Sequence, residues 1–194
     1  MQQLIFATNN QYKVNEIRAI LACRYEIITL NEAGINIDIP EPFETLEENA
    51  IEKSSVIFSL TGKDCFGEDT GLEVEALNGE PGVKSARYAG EEKSFSKNIT
   101  KLLNKLAGCD NRRAQFRTVI ALMMNDKQYL FEGTCKGLII ANERGVNGFG
   151  YDPVFVPSGS EKTFAEMTMQ EKNIFNHRKK AVDQLINFLE DPIS

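Results

Sequence analysis

The 194-residue chain is 42% hydrophobic and 26% charged, ordinary values for a soluble globular protein long enough to bury a full core as one domain, or one domain with two lobes. A net charge of −6 argues against a broad nucleic-acid-binding face, yet leaves room for a small anionic ligand held by a few well-placed lysines. The four cysteines (Cys23, Cys65, Cys109 and Cys135) form no C-x-x-C pair and have a single histidine to help them, which disfavours zinc and suits a reduced, intracellular chain. No signal peptide, membrane-spanning stretch, repeat or linker is expected.

Leu4-Ile5-Phe6-Ala7 reads as a central strand. Thr8-Asn9-Asn10 then leads into a helix from about Gln11 to Ala22, capped by Asn9 or Asn10, with Val14, Ile17 and Leu21 on its buried face. Lys13 sits in the first turn, where a cation opposes the helix dipole by a few tenths of a kcal/mol up to about 1 kcal/mol. An anion docked on the free N–H groups would reverse that sign; an ordinary solvated lysine is the other reading. Tyr25 to Leu30 is a second strand. Beyond it, Glu41 stands between Pro40 and Pro42 on a stiff, extended loop, either as a surface acid or as a fixed carboxylate.

Thr45-Leu46-Glu47-Glu48 is a capping box opening a helix to about Leu60, ended at Thr61-Gly62. Lys53 falls on that helix's buried stripe, so it either snorkels outward or points at anionic groups. A short buried strand, Asp64-Cys65-Phe66, then breaks into the turn Glu68-Asp69-Thr70-Gly71. Adjacent carboxylates held in a fold need solvent, a shared proton or a cation, and a hard ion such as Mg²⁺ takes oxygen ligands alongside substrate phosphates. Gly79 to Lys84 fails the spacing of a Walker phosphate loop. A third helix, about Ser94 to Leu106, carries Phe95, Ile99, Leu102, Leu103 and Leu106 as a core stripe.

Ala114 to Met124, Gln128 to Thr134 and Lys136 to Ile140 read as strands, the first two joined by a hairpin at Asn125-Asp126. Gly148-Phe149-Gly150-Tyr151-Asp152-Pro153 is glycine-rich but opens no helix, leading instead into the strand Val154-Phe155-Val156. Its ring could stack a planar base, an interaction worth about 1–3 kcal/mol in single-strand binders, or could simply anchor a loop. Thr168 to Glu171 is another capping box, on a short helix that carries Lys172. Asn176 can cap the closing helix, placing His177 and Arg178 in its first turn.

Taken in order from Leu4 to Leu189, Thr8-x-Asn10-x-x-Lys13, the Glu41 loop, Glu47-Glu48-Asn49-Ala50 with Lys53, Glu68-Asp69-Thr70-Gly71-Leu72, Pro81-Gly82-Val83 with Ser85-Ala86-Arg87-Tyr88, Gly148 to Pro153, and Glu171-Lys172-Asn173 ahead of His177-Arg178 closely resemble the inosine triphosphate pyrophosphatase family, the XTP/dITP diphosphatases. The resemblance implies an α/β fold: a long mixed central sheet with flanking helices, forming one two-lobed domain over residues 1–194 around a deep cleft. It further implies a cytoplasmic homodimer that uses Mg²⁺ to split ITP, dITP and XTP into the monophosphate and pyrophosphate, with no nucleic-acid or membrane partner.

By that likeness Thr8, Asn9, Asn10, Gln11, Tyr12 and Lys13, together with Lys53 and Thr70, face the triphosphate. Glu41 and Asp69 hold the metal, and Asp69 accepts the proton of the attacking water. Phe149, Gly150, Tyr151, Asp152, Lys172, His177 and Arg178 surround sugar and base. One departure is Asn176, where the family usually has Ser; the two are equivalent as helix caps. Arg178 carries only donors, so it suits the 6-keto oxygen of hypoxanthine or xanthine and faces adenine's amino group with a mismatch. A site built on such bonds rejects a mismatch by about 10⁴ or more. Competing readings are a triphosphate pyrophosphatase preferring ordinary or pyrimidine bases, and a nucleotide sensor that does not cut.

Overall fold

The computed structural model describes residues 2–21 and 25–190. Cys23 and the expected helix end at Ala22 lie outside the described residues. The elements are β1 (Gln2–Phe6), α1 (Gln11–Leu21), β2 (Tyr25–Thr29), α2 (Leu46–Thr61), β3 (Cys65–Val74), β4 (Pro81–Gly82), α3 (Phe95–Lys105), β5 (Arg113–Met124), β6 (Lys127–Ile139), β7 (Phe155–Pro157), α4 (Met169–Phe175) and α5 (His177–Glu190), with short 3₁₀ turns between some of them. The sheet order is β2-β1-β3-β5-β6-β7, with β4 on β3. β1 pairs in parallel with β2 and β3, while β4 and β7 run antiparallel to their neighbours. The expected mixed sheet with flanking helices is present.

Two compact units divide the chain. Among the described residues, the first takes those within 2–69, 118–133 and 178–190; the second takes Thr70–Arg117 and Thr134–His177. In the first, Leu4, Phe6, Ile17, Phe66, Ile120 and Leu185 share one core, with the Phe6 and Phe66 rings stacked at 4.5 Å. A smaller apolar group there includes Ile5, Ile57 and Cys65. The Cys65 thiol lies 3.2 Å from the Ser54 carbonyl, and burial, then the nearby Asp64 charge, pushes its pKa up to about 12. In the second unit Leu72, Ile99, Leu102, Phe155 and Phe164 pack around Phe116, whose ring meets Phe155 edge-on at 4.7 Å.

Local signals account for most boundaries. Thr45 caps α2 and Gly62, at φ 62°, ends it in the left-handed conformation that glycine adopts without strain. The capping box at Thr45 takes a variant form: the Glu48 N–H donates to the Thr45 hydroxyl, which in turn donates to the Glu48 carboxylate at 2.7 Å. The box at Thr168 is complete. Asn125 and Asp126 both have positive φ, 51° and 59°, as a two-residue hairpin of right-handed twist requires.

Four expectations need correction. Glu68 to Gly71 is not a turn but the middle of β3, a continuous ten-residue strand. The expected strands at Gln128 and Lys136 are one strand, β6, whose burial alternates through the supposed break. The third helix begins at Phe95, which is 37% exposed, so the core stripe starts at Ile99. β7 begins at Phe155, because Asp152–Val154 forms a 3₁₀ turn. No helix among the described residues is long and apolar enough to cross a membrane.

Candidate active site

In the first unit the site is built around β3. Gly67 gives the reason α2 can lie against the strand: a Cβ there would strike the Ala50 carbonyl and come within 2.7 Å of Lys53 Cβ. That close approach delivers Lys53, only 6% exposed, to the acidic residues. Its ammonium donates to the Glu68 carbonyl at 3.1 Å and the Asp69 carboxylate at 3.2 Å, and pairs with Glu41. The stiff loop bearing Glu41 is fastened by Asn49 of α2, whose side chain accepts the Phe43 N–H and donates to the Phe43 carbonyl, both at 3.1 Å.

Lys13 reaches the same strand, 3.0 Å from the Glu68 carboxylate and 3.5 Å from its carbonyl. Its unfavourable place at a helix start is thus offset by Glu68. The first helical N–H groups are not all open: the Asn10 side chain accepts those of Tyr12 and Lys13, so Asn10 is the cap, and its own N–H goes to the Thr8 hydroxyl. Asn9 instead donates to the Ile37 carbonyl. Gln11 bonds along the helix to Asn15, and Tyr12 is exposed.

Arg178 is 1% exposed and holds two carboxylates, Glu16 of α1 and Glu68 at 3.1 Å. The resemblance assigns Arg178 to base reading; in the structure its partners are these acids. Glu16 was not among the expected site residues. It lies three residues after Lys13, a spacing usual for exposed helix pairs, so nothing local marks it as buried.

Electrostatics follow from this burial. Burial alone would lower the Lys53 pKa, but the Asp69 and Glu41 charges outweigh it and the group is held above its ordinary value. Burial raises the Asp69 pKa, with Lys53 and Lys13 pulling against it and Glu41 and Glu68 adding to the rise. The Arg178 guanidinium, which burial would lower, is held up by Glu68 and Glu16.

The second unit contains Thr70, on β3 beside the unit boundary, and the glycine-rich loop. Lys172 of α4 pairs with Asp152 at 2.6 Å, both nearly fully buried, and the same Asp152 oxygen accepts the Phe149 N–H at 3.0 Å. Gly148 has φ 76°, and any Cβ there would collide with the Asp152 carboxylate. The Lys172 ammonium sits 5.5 Å from the centre of the Phe149 ring. The Phe95 ring meets that of Phe149 at a tilt, centroids 6.2 Å apart. His177 is buried, stacked on Phe116 at 4.8 Å. Asn176, also buried, joins α4 to α5 and returns its N–H to the Lys172 carbonyl.

In the first unit two carboxylates share one ammonium, and Lys13 of α1 reaches the same strand; in the second, an aromatic loop is stiffened by a buried ion pair. The Ham1 family model matches residues 4–188, and the chain belongs to that family. A dITP/XTP pyrophosphatase of Flavobacterium psychrophilum is 49% identical over 97% of this chain and 100% of its own length. One of Porphyromonas gingivalis is 50% identical over 97% of this chain and 98% of its own. Among solved structures, the Staphylococcus aureus Ham1 protein superposes with a TM-score of 0.89 at 43% identity, covering 98% of this chain and 99% of that one.

Proposed function

We propose that this chain hydrolyses the α–β phosphoanhydride of ITP, dITP and XTP, releasing the nucleoside monophosphate and pyrophosphate. The observation that carries the reading is the convergence of Glu41 and Asp69 on one buried ammonium, Lys53, within reach of a second lysine. Relatives spanning nearly the whole chain are named dITP/XTP pyrophosphatases, which supports the choice of substrate.

Mg²⁺ fits these residues. The Glu41 and Asp69 oxygens already gather round a cation and are hard donors of the kind that ion prefers. Among the described residues no three Asp, Glu, His or Cys side chains are grouped to hold a metal alone. Mg²⁺ is usually held by one or two carboxylates together with substrate phosphates, so two suffice. When bound it supplies positive charge to the phosphate oxygens. Lys13 and Lys53 add fixed charge to the same oxygens, and Thr70 offers a hydroxyl donor. Asp69 takes the proton of the attacking water; its raised pKa brings its basicity nearer that task.

Phe149 offers a ring face to the base, held in place by Asp152 and Lys172. His177, and Arg178 on its carboxylate partners, complete the expected base contacts, with Arg178 favouring a 6-keto oxygen. Guanine shares that oxygen, so its exclusion has to occur at the 2-position. Assembly as a cytoplasmic homodimer belongs to the same reading, and light scattering after gel filtration tests the dimer.

The deciding experiment measures pyrophosphate release from ITP, dITP, XTP, ATP and GTP with and without Mg²⁺. Rates on the first three far above those on ATP and GTP are expected. Equal rates on all five would remove the specificity claim, and no release from any would remove the hydrolytic reading.

A further inference from the structure

Ser85 opens the 3₁₀ turn Ser85–Arg87 just after β4, and its two polar ends reach different parts of the second unit. Its hydroxyl accepts the Leu72 N–H at 2.8 Å and donates to the Gly82 carbonyl at 2.6 Å. Its carbonyl accepts the Tyr151 hydroxyl at 2.9 Å and the Asn98 side-chain amide at 3.3 Å. Asn98, 2% exposed on α3, also donates to the Ala86 carbonyl at 3.0 Å and accepts the Ala89 N–H at 2.7 Å. The turn is therefore pinned from the helix side. On the strand side it is pressed close: a Cβ on Gly71 would stand 2.6 Å from the Gly82 carbonyl.

Leu72 is two residues past Thr70, and Tyr151 stands between Gly150 and Asp152 in the aromatic loop. A single residue thus sets a strand with its side chain and a loop with its main chain. We propose that Ser85 is a positioning residue for pyrophosphate release: its hydroxyl fixes where Thr70 stands, and its carbonyl fixes where Phe149 and Asp152 stand. The proposal rests on Thr70 and the Phe149–Asp152 loop facing substrate. Misplacing a reacting or binding group by about 1 Å can cost about 100-fold in rate, which gives the two arms separable effects.

The test compares Ser85→Ala, Ser85→Thr and Tyr151→Phe with Thr70→Ala and Phe149→Ala as reference variants, in steady-state kinetics on dITP and dGTP. Ser85→Ala leaves the Leu72 N–H and Gly82 carbonyl without their partner. We expect kcat on dITP to fall by about 10- to 100-fold with KM within about threefold. Ser85→Thr keeps the hydroxyl and should restore kcat to within about threefold of the parent enzyme. Tyr151→Phe cuts only the bond to the Ser85 carbonyl, and should raise KM and narrow the dITP-to-dGTP ratio more than it lowers kcat. If Ser85→Ala and Tyr151→Phe shift only the melting temperature while the reference variants lose activity, Ser85 is a packing residue and the proposal fails. A folded Ser85→Thr that stays as slow as Ser85→Ala also overturns it. If Thr70→Ala and Phe149→Ala themselves leave kinetics unchanged, the site assignment falls and the proposal with it. Should Ser85→Ala not fold, Ser85→Thr and Tyr151→Phe decide by the same criteria.

Discussion

Lys53 pairs with Glu41, a buried ammonium against a carboxylate standing between two prolines and tied down by Asn49. The pair shows how the loop is kept ready: without a cation opposite, Glu41 and Asp69 would repel each other at close range. Replacing Glu41 by Gln should raise the Mg²⁺ concentration needed for half-maximal turnover by about 10-fold or more. Asn49→Ala, which only frees the loop, should move it the same way by less. A metal titration of turnover measures both, and unchanged midpoints would detach this loop from the ion.

Asp69→Asn should leave the fold intact and lower kcat by about 10²- to 10⁴-fold, the usual worth of a positioned base. Turnover within a few-fold of the parent protein would remove Asp69 from that role.

The pH profile follows from the direction of the Asp69 shift. A base works deprotonated, so kcat/KM should fall as pH drops through a pKa above the ordinary Asp value, and Asp69→Asn should erase that limb. Stability moves oppositely. A carboxyl whose folded pKa is raised favours the fold fully below its unfolded value, and that contribution is lost as pH rises through the folded one. The melting temperature of Asp69→Asn relative to the parent should therefore climb from about pH 4 toward neutrality, where the parent's Asp69 is ionised. A flat difference across that range would contradict the shift.

Arg178→Met should cost about 3–5 kcal/mol in urea unfolding, because it removes the buried guanidinium that Glu16 and Glu68 share. Adding Glu16→Gln to it should recover part of the loss. A single-variant cost below about 1 kcal/mol would mean the buried acids are protonated and need no partner.

Gly148→Ala combines a collision with Asp152 and a positive φ. It should raise KM for dITP by about 10-fold or more through displacement of Phe149, a shift readable in steady-state kinetics. A KM within twofold would show that the loop's place is not set by Asp152.

How far the sequence could be read depended on range. Thr45, Gly62, Thr168 and the Asn125-Asp126 pair act within a few residues, and their caps and turn are found where expected, with the Thr45 box altered in detail. Glu68 to Gly71 reads as a turn because acidic, hydroxyl and glycine residues ordinarily form turns; Lys13, Lys53 and Arg178, contributed by distant segments, neutralise its acids within a strand. Glu16 was invisible for the same reason, since its partner is 162 positions away. Phe95 fits the helical stripe in spacing, yet it lies at the helix start, where it meets Phe149 rather than the core. The ordered motifs carried the family assignment, whereas the couplings through Asn49, Asn98 and Ser85 are visible only in three dimensions.

The thiol at the start of β3 has a chemical consequence. With its pKa at about 12, almost none of Cys65 is thiolate at neutral pH, and it is the thiolate that peroxides and alkylating agents attack. The strand that bears Asp69 is thereby shielded from oxidation and alkylation at its own cysteine.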